Sequence, residues 1–129
     1  MTVADTVLRS HGGTEIRIGD AHPFVIIGER INPTGRKKLA DEITTGDMST
    51  VRKDAIAQVA AGAQVLDVNA GVPGFDEAEM LSNIVRAVME VVDVPLCIDS
   101  STPAALEAAV PLAGGKVLIN SVTAEDHSL

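Results

Sequence analysis

Residues 65–71 read VLDVNAG, an apolar run that carries an aspartate, then an asparagine, and then gives way to small loop residues. The same construction recurs on either side, as VIIGERIN at 25–32, LCIDSS at 96–101 and VLINSV at 117–122. It places Glu29 with Asn32, Asp67 with Asn69, then Asp99, then Asn120, each where an apolar run becomes a loop. The stretches between these runs read as helices. Parallel strands joined by helices have all their carboxyl ends on one side of the sheet. The polar side chains therefore converge on one rim, where α/β barrels and open α/β sheets hold their sites. One aspartate after a strand is common; four polar strand ends in succession are the signal.

Composition narrows the classes. A chain of 129 residues forms one domain and is long enough to bury a core, and 46% hydrophobic residues set it among globular proteins. No apolar run approaches the roughly 18 residues of a membrane span, and the polar start has no signal-peptide pattern. A cytoplasmic location is the default expectation. A formal charge of -8 with 2% aromatics argues against nucleic acid, which calls for basic stripes and stacking platforms. Cys97 is the single cysteine, so no internal disulfide or thiolate metal cluster is expected, and its apolar strand makes it core. His11, His22 and His127 are scattered without ligand spacing, and no metal site is expected.

Along the chain, residues 2–9 and 14–19 read as short strands joined through Ser10 to Gly13, a hairpin acting as a cap over residues 1–23. The first core strand is Phe24 to Ile31, followed by a long polar loop, NPTGRKKLADEITTGD. Ser49 or Thr50 caps the next helix, with Val51, Ala55, Ile56, Val59 and Ala63 on one face. Gln64 to Asn69 is the second strand, and AGVPG at 70–74 a loop. A helix from about Asp76 to Val92 carries Leu81, Ile84, Val85, Val88 and Val92 at helical spacing, with acidic residues in its first turn. Met80 and Met89 are ordinary helix residues. Pro95 to Asp99 is the third strand; Thr102 is an N-cap with Pro103 at the first helical position, and Pro111 ends that helix. Gly114 and Gly115 turn the chain into a fourth strand, Val117 to Asn120. Nearly continuous apolar strands mark a parallel sheet covered on both faces. The fold class is α/β: about four parallel strands and three helices, the N-terminal half of a (β/α)₈ barrel, with residues 24–129 as its unit and a short hairpin before it.

FVIIGERINPTGRKKL, AAGAQVLDVNAGVP, VPLCIDSS and VLINSVTAED, in that order, resemble the pterin-binding barrel of methyltetrahydrofolate:corrinoid methyltransferases. The corresponding domain of cobalamin-dependent methionine synthase is similar. Dihydropteroate synthases share the barrel and the later Asp and Asn strand ends, but their first strand resembles an NVTPDSF pattern. The likeness covers residues 24–126.

The resemblance implies methyl transfer from methyltetrahydrofolate to a corrinoid (cobalamin) carried by a partner protein or domain. By that likeness Asp99 and Asn120 hold the amino-pyrimidinone edge of the pterin. Carboxylates accept its donors, and an amide pairs with a donor and an acceptor together. Asp67 and Asn69 sit beside it, and Glu29 and Asn32 lie across the rim. Each has a structural alternative. Asp99 and Asn120 suit loop capping; Asp67 and Asn69 suit a pair tying strand ends; Glu29 suits an ion pair with Arg30. Arg36, Lys37 and Lys38 suit either a folate glutamate tail or a solvated charge run. Full-length members of that family complete the pocket from later strands. This stretch is therefore expected to be a fragment that recognises a pterin without turning it over. A non-catalytic pterin-binding module and a dihydropteroate-synthase-like enzyme are the alternatives. Unpaired barrel edges also predict a homodimer or an aggregate rather than a stable monomer.

Overall fold

Side chains alternate between the two faces of a strand, and the strands of this chain sort their residues by what covers each face. The computed structural model describes residues 6–19 and 24–120. It opens with an antiparallel hairpin, β1 (Thr6–Arg9) and β2 (Glu15–Ile18), forming a two-stranded sheet of its own. Then come β3 (Ile27–Ile31), α1 (Lys37–Thr44), α2 (Ser49–Ala60), β4 (Val65–Val68), α3 (Glu77–Val91), β5 (Leu96–Asp99), α4 (Pro103–Ala113) and β6 (Leu118–Asn120). The four later strands make one parallel sheet in the order β3-β4-β5-β6. Sequential parallel pairing through helical crossovers is the architecture of part of a (β/α)₈ barrel.

One face of the sheet carries Leu66, Val68, Leu96 and Ile98, which are buried with Leu81, Ile84, Val85 and Val88 of α3 and Ala105 and Ala109 of α4. The small residues of α4 let it lie close against α3. The other face carries Val65 and Asp67 on β4, and Cys97 and Asp99 on β5. At its amino end Val65 and Cys97 are sealed by Leu8 of the hairpin, with Ile16, Ile18, Val25 and Leu118 around them. Full burial of one such aliphatic side chain contributes about 1.5–3 kcal/mol. At the carboxyl end the same face turns polar.

Asp93, in the connection between α3 and β5, fastens the hairpin. Its carboxylate accepts the Ser10 hydroxyl at 2.5 Å, the Thr14 hydroxyl at 2.9 Å and the Gly12 N–H at 3.0 Å. These donors hold the Asp93 carboxyl below the usual carboxylate range. A second tie is the bridge between Arg9 and Lys116, each N–H donating to the other's carbonyl. Gly115 has φ +58°, and a Cβ there would strike the carbonyl oxygens of Arg9 and Ser10, so the tie requires glycine.

Several sequence expectations are corrected. The polar stretch after the first strand is not all loop: Lys37–Thr44 is α1, which buries Leu39 and Ile43 four apart while pairing Lys37 with Asp41 and Lys38 with Glu42 outside. Ile56 is not on the buried face of α2; it is 51% exposed, whereas Asp54 is 7% exposed because Arg36 reaches in to pair with it. The N-cap of α2 is Met48, and the Asp47 carboxylate, not Ser49 or Thr50, takes the first N–H. Pro111 does not end its helix, which runs on to Ala113; near a C-terminus the ring forfeits one backbone bond. Thr102 is the N-cap of α4, but its side chain makes no cap bond; its own N–H donates to Ser100 Oγ at 3.0 Å. The four core strands are shorter than expected by one to three residues, and Phe24 to Ile26 precede β3. Expectations for residues 2–5, for His22, and for Ser121 onward, including His127, lie outside the described residues.

Candidate functional site

Asp99 and Asn120 are cross-strand partners at the carboxyl ends of β5 and β6. Asp67 stands one step back, opposite Cys97. The period of two puts Asp67, Cys97, Asp99 and Asn120 on the face not covered by helices. Asp67 is 4% exposed, and its carboxyl is pushed up to about 6. Burial is the main cause; the charge of Asp99, a hydrogen bond shared with it, and the charge of Glu29 add to it, while the Cys97 thiol opposes it. The Asp67 carboxyl therefore takes up a proton at a higher pH than an ordinary carboxylate does. Burial and these carboxylates push the Cys97 thiol up to about 12, so it stays protonated, as a core cysteine should.

The loop after β5 is tied down at once. Ser100, which is buried, donates its hydroxyl to Glu77 Oε2 at the start of α3, and accepts the Thr102 N–H. This bond fixes the backbone next to Asp99. Beside it the same rim opens into a cleft of about 560 Å³ lined by Gly71, Pro73, Phe75, Glu77, Thr102 and Ala104 among others.

Such a rim is rich in acceptors and offers one amide, a set that suits a flat ring with adjacent N–H and amino donors. A family model described as pterin binding enzyme matches residues 28–129, most of the chain. The chain belongs to the pterin-binding enzymes. Over 109 residues, 82% of the chain, it is 39% identical to the methylcorrinoid:tetrahydrofolate methyltransferase of Eubacterium limosum, and it spans 39% of that protein's length. Among solved structures it is similar to the dihydropteroate synthase of Burkholderia cenocepacia (TM-score 0.57, 20% identity, 98% of this chain and 40% of that one). It is also similar to the Xanthomonas albilineans dihydropteroate synthase with 4-aminobenzoic acid (TM-score 0.61, 17% identity, 95% of this chain and 46% of that one). At those identities the structures show a shared fold.

Of the expected site residues in this pterin-binding chain, the structure brings Asp67, Asp99 and Asn120 together, with Glu29 near enough for its charge to bear on Asp67. Asn32 and Asn69 are occupied locally: their side-chain oxygens accept the N–H of Thr34 at 2.9 Å and of Gly71 at 2.8 Å, shaping their own loops. Glu29 does not pair with Arg30, whose side chain turns to Asp54 at 3.6 Å. Arg36 is drawn inward to Asp54 at 2.8 Å. Sequence reading passed over Asp54, Gln58, Glu77 and Ser100. For Asp54 a signal was available, a lone carboxylate between Val51 and Ala55 on the buried side of a helix.

Proposed function

We propose that this chain holds the pterin ring of a methylated tetrahydrofolate through Asp99 and Asn120, as the pterin-binding portion of a methyltransferase that works with a corrinoid. The observation that carries the reading is the Asp99–Asn120 pair beside a second, buried carboxyl, Asp67, which is raised to about 6. Asp99 accepts the ring N–H and amino donors, and the Asn120 amide meets a donor and an acceptor. Asp67 stands behind Asp99 in hydrogen-bond contact with it, and Glu77 through Ser100 keeps the Asp99 loop still. Methyl transfer at a tertiary pterin nitrogen is eased when that nitrogen is protonated or strongly hydrogen-bonded. The corrinoid is the second substrate, carried by a partner protein or domain. The Eubacterium limosum relative is named for transfer from methylcorrinoid to tetrahydrofolate, the reverse of the direction expected from sequence. One pterin site serves both directions, because a catalyst lowers both barriers.

Residues 1–23 act in this reading as a cap and 24–129 as the pterin-binding unit, in the cytoplasm; no helix among the described residues is long and apolar enough to cross a membrane. β3 and β6 are the edges of the sheet, and Ile27 and Ile119 on them are exposed. A second copy of the chain, or further barrel strands, would cover them, and sedimentation at micromolar concentration shows a dimer in the first case. The functional test is calorimetric titration with methyltetrahydrofolate. Saturable binding by the wild-type chain, weakened in Asp99→Ala and Asn120→Ala, is expected; equal binding by Asn120→Ala contradicts the assignment. Formation of dihydropteroate from a pterin pyrophosphate and an aminobenzoate would favour a synthase instead.

A further inference from the structure

β3 leaves the ladder with β4 between Gly28 and Ile31, where the register shifts by one residue. Such a bulge re-aims the side chains at a strand end, and here it contains Glu29 and lies just before Asn32. Both backbone groups of Arg30 are taken up at the bulge. Its N–H donates to Gln58 Oε1 at 3.0 Å. Its carbonyl accepts the Asn32 N–H at 2.9 Å and Arg36 Nη1 at 2.6 Å. The same Nη1 donates to Asp54 Oδ2 at 2.8 Å. Asp54 and Gln58 are four apart on α2 and so share a face. Gly28 makes room for Gln58, since a Cβ there would run into the Gln58 carboxamide and Leu66.

A buried carboxylate is a poor way to hold a helix in place. An apolar residue of similar volume usually serves stability as well or better, and Val51 and Ala55 beside it do so. What the Asp54–Arg36 pair adds is direction: it holds one nitrogen of a rigid, planar guanidinium on one carbonyl oxygen.

We propose that Asp54, Arg36 and Gln58 are positioning residues for the pterin site, a bracket that holds the Gly28–Ile31 bulge and so sets Glu29 beside Asp67 and Asn32 at the head of the first loop. The ligand in this proposal rests on the pterin reading; the geometry does not. The groups facing Asp67 are Glu29 from β3 and Cys97 and Asp99 from β5. Of these only Glu29 is placed by the bracket.

Two variants test it. Gln58→Met keeps length and removes the acceptor; Arg36→Lys keeps charge and removes the fork. The first readout is the carboxyl titration of Asp67, followed by carbon NMR in the ligand-free chain. With Glu29 no longer held beside Asp67, the Asp67 midpoint should fall in each variant. The second readout is the Kd for methyltetrahydrofolate, which should weaken about tenfold. The double variant should be no worse than about the larger single effect, because the three residues form one device. An unchanged Asp67 midpoint in Gln58→Met overturns the proposal even if Arg36→Lys fails to fold. A shifted midpoint with unchanged pterin affinity overturns it too. If the wild-type chain binds no methyltetrahydrofolate, the pterin reading fails, and with it the claim that the bracket serves that site, while the midpoints still decide whether the bracket places Glu29.

Discussion

Asp67 and Asp93 belong to opposite ends of the same sheet and to opposite environments. Asp93 is exposed at the amino end, where two hydroxyls and an N–H donate to it and hold its carboxyl low. Asp67 is buried toward the carboxyl end among acceptors, Asp99 and Glu29, and its carboxyl is raised. The donors at the amino end are committed to fastening a hairpin over an apolar layer. Carboxylates gather at the carboxyl end, where the proposed reading seats the donor-bearing edge of a ligand. The closed end serves stability; the carboxylate-rich end is the one proposed for recognition.

The largest effect should come from opening the closed end. Leu8→Ala removes the hairpin side chain packed on Val65 and Cys97 and should cost about 2–4 kcal/mol in denaturant unfolding. Pterin affinity of the folded fraction should not change. Disturbing the other end should do the reverse. Asp99→Ala and Asn120→Ala should each weaken methyltetrahydrofolate binding by about 1–3 kcal/mol, read by calorimetry, while the unfolding midpoint barely moves. A variant that lost stability and affinity together would erase the division between the two ends.

The two aspartates should also answer pH with opposite signs. Asp67 is raised in the folded state to about 6, so its contribution to stability is complete below the unfolded carboxylate value of about 3.9 and is lost as pH rises through about 6. Asp67→Asn should therefore stabilise the chain by about 1 kcal/mol at neutral pH, with the difference gone in acid. Asp93 is lowered, so its contribution is present above the unfolded carboxylate value and is lost as pH falls through its folded one. Asp93→Asn should destabilise at neutral pH and converge with wild type in acid. Thermal melts across pH 3 to 8, read as paired differences, check both signs. The smallest effect belongs to the outer face of α1. Lys37→Ala and Lys38→Ala each remove an exposed lysine from one i,i+4 pair and should change stability and pterin affinity by less than about 0.5 kcal/mol.

The strand ends were legible because period two and apolar continuity are local properties; the runs around Asp67, Asp99 and Asn120 announce both strand and rim. α1 was not legible, because Pro33, Gly35 and a run of charges mask a short helix whose only apolar anchors are Leu39 and Ile43. Nor was the fate of Asn32 and Asn69, since an Asx turn and a ligand contact call for the same residue in the same place. The bulge at Gly28–Ile31 is bonded by Gln58, 28 residues along the sequence from Arg30. No reading of β3 alone could have found it.

The account rests on the pterin ring lying against Asp99 and Asn120. A crystal structure of the chain soaked with methyltetrahydrofolate tests this most directly. The account predicts the amino-pyrimidinone edge within hydrogen-bonding distance of the Asp99 carboxylate and the Asn120 amide, with Asp67 behind them. A pterin seated instead in the cleft between Gly71 and Ala104, with Asp99 and Asn120 untouched, would contradict it.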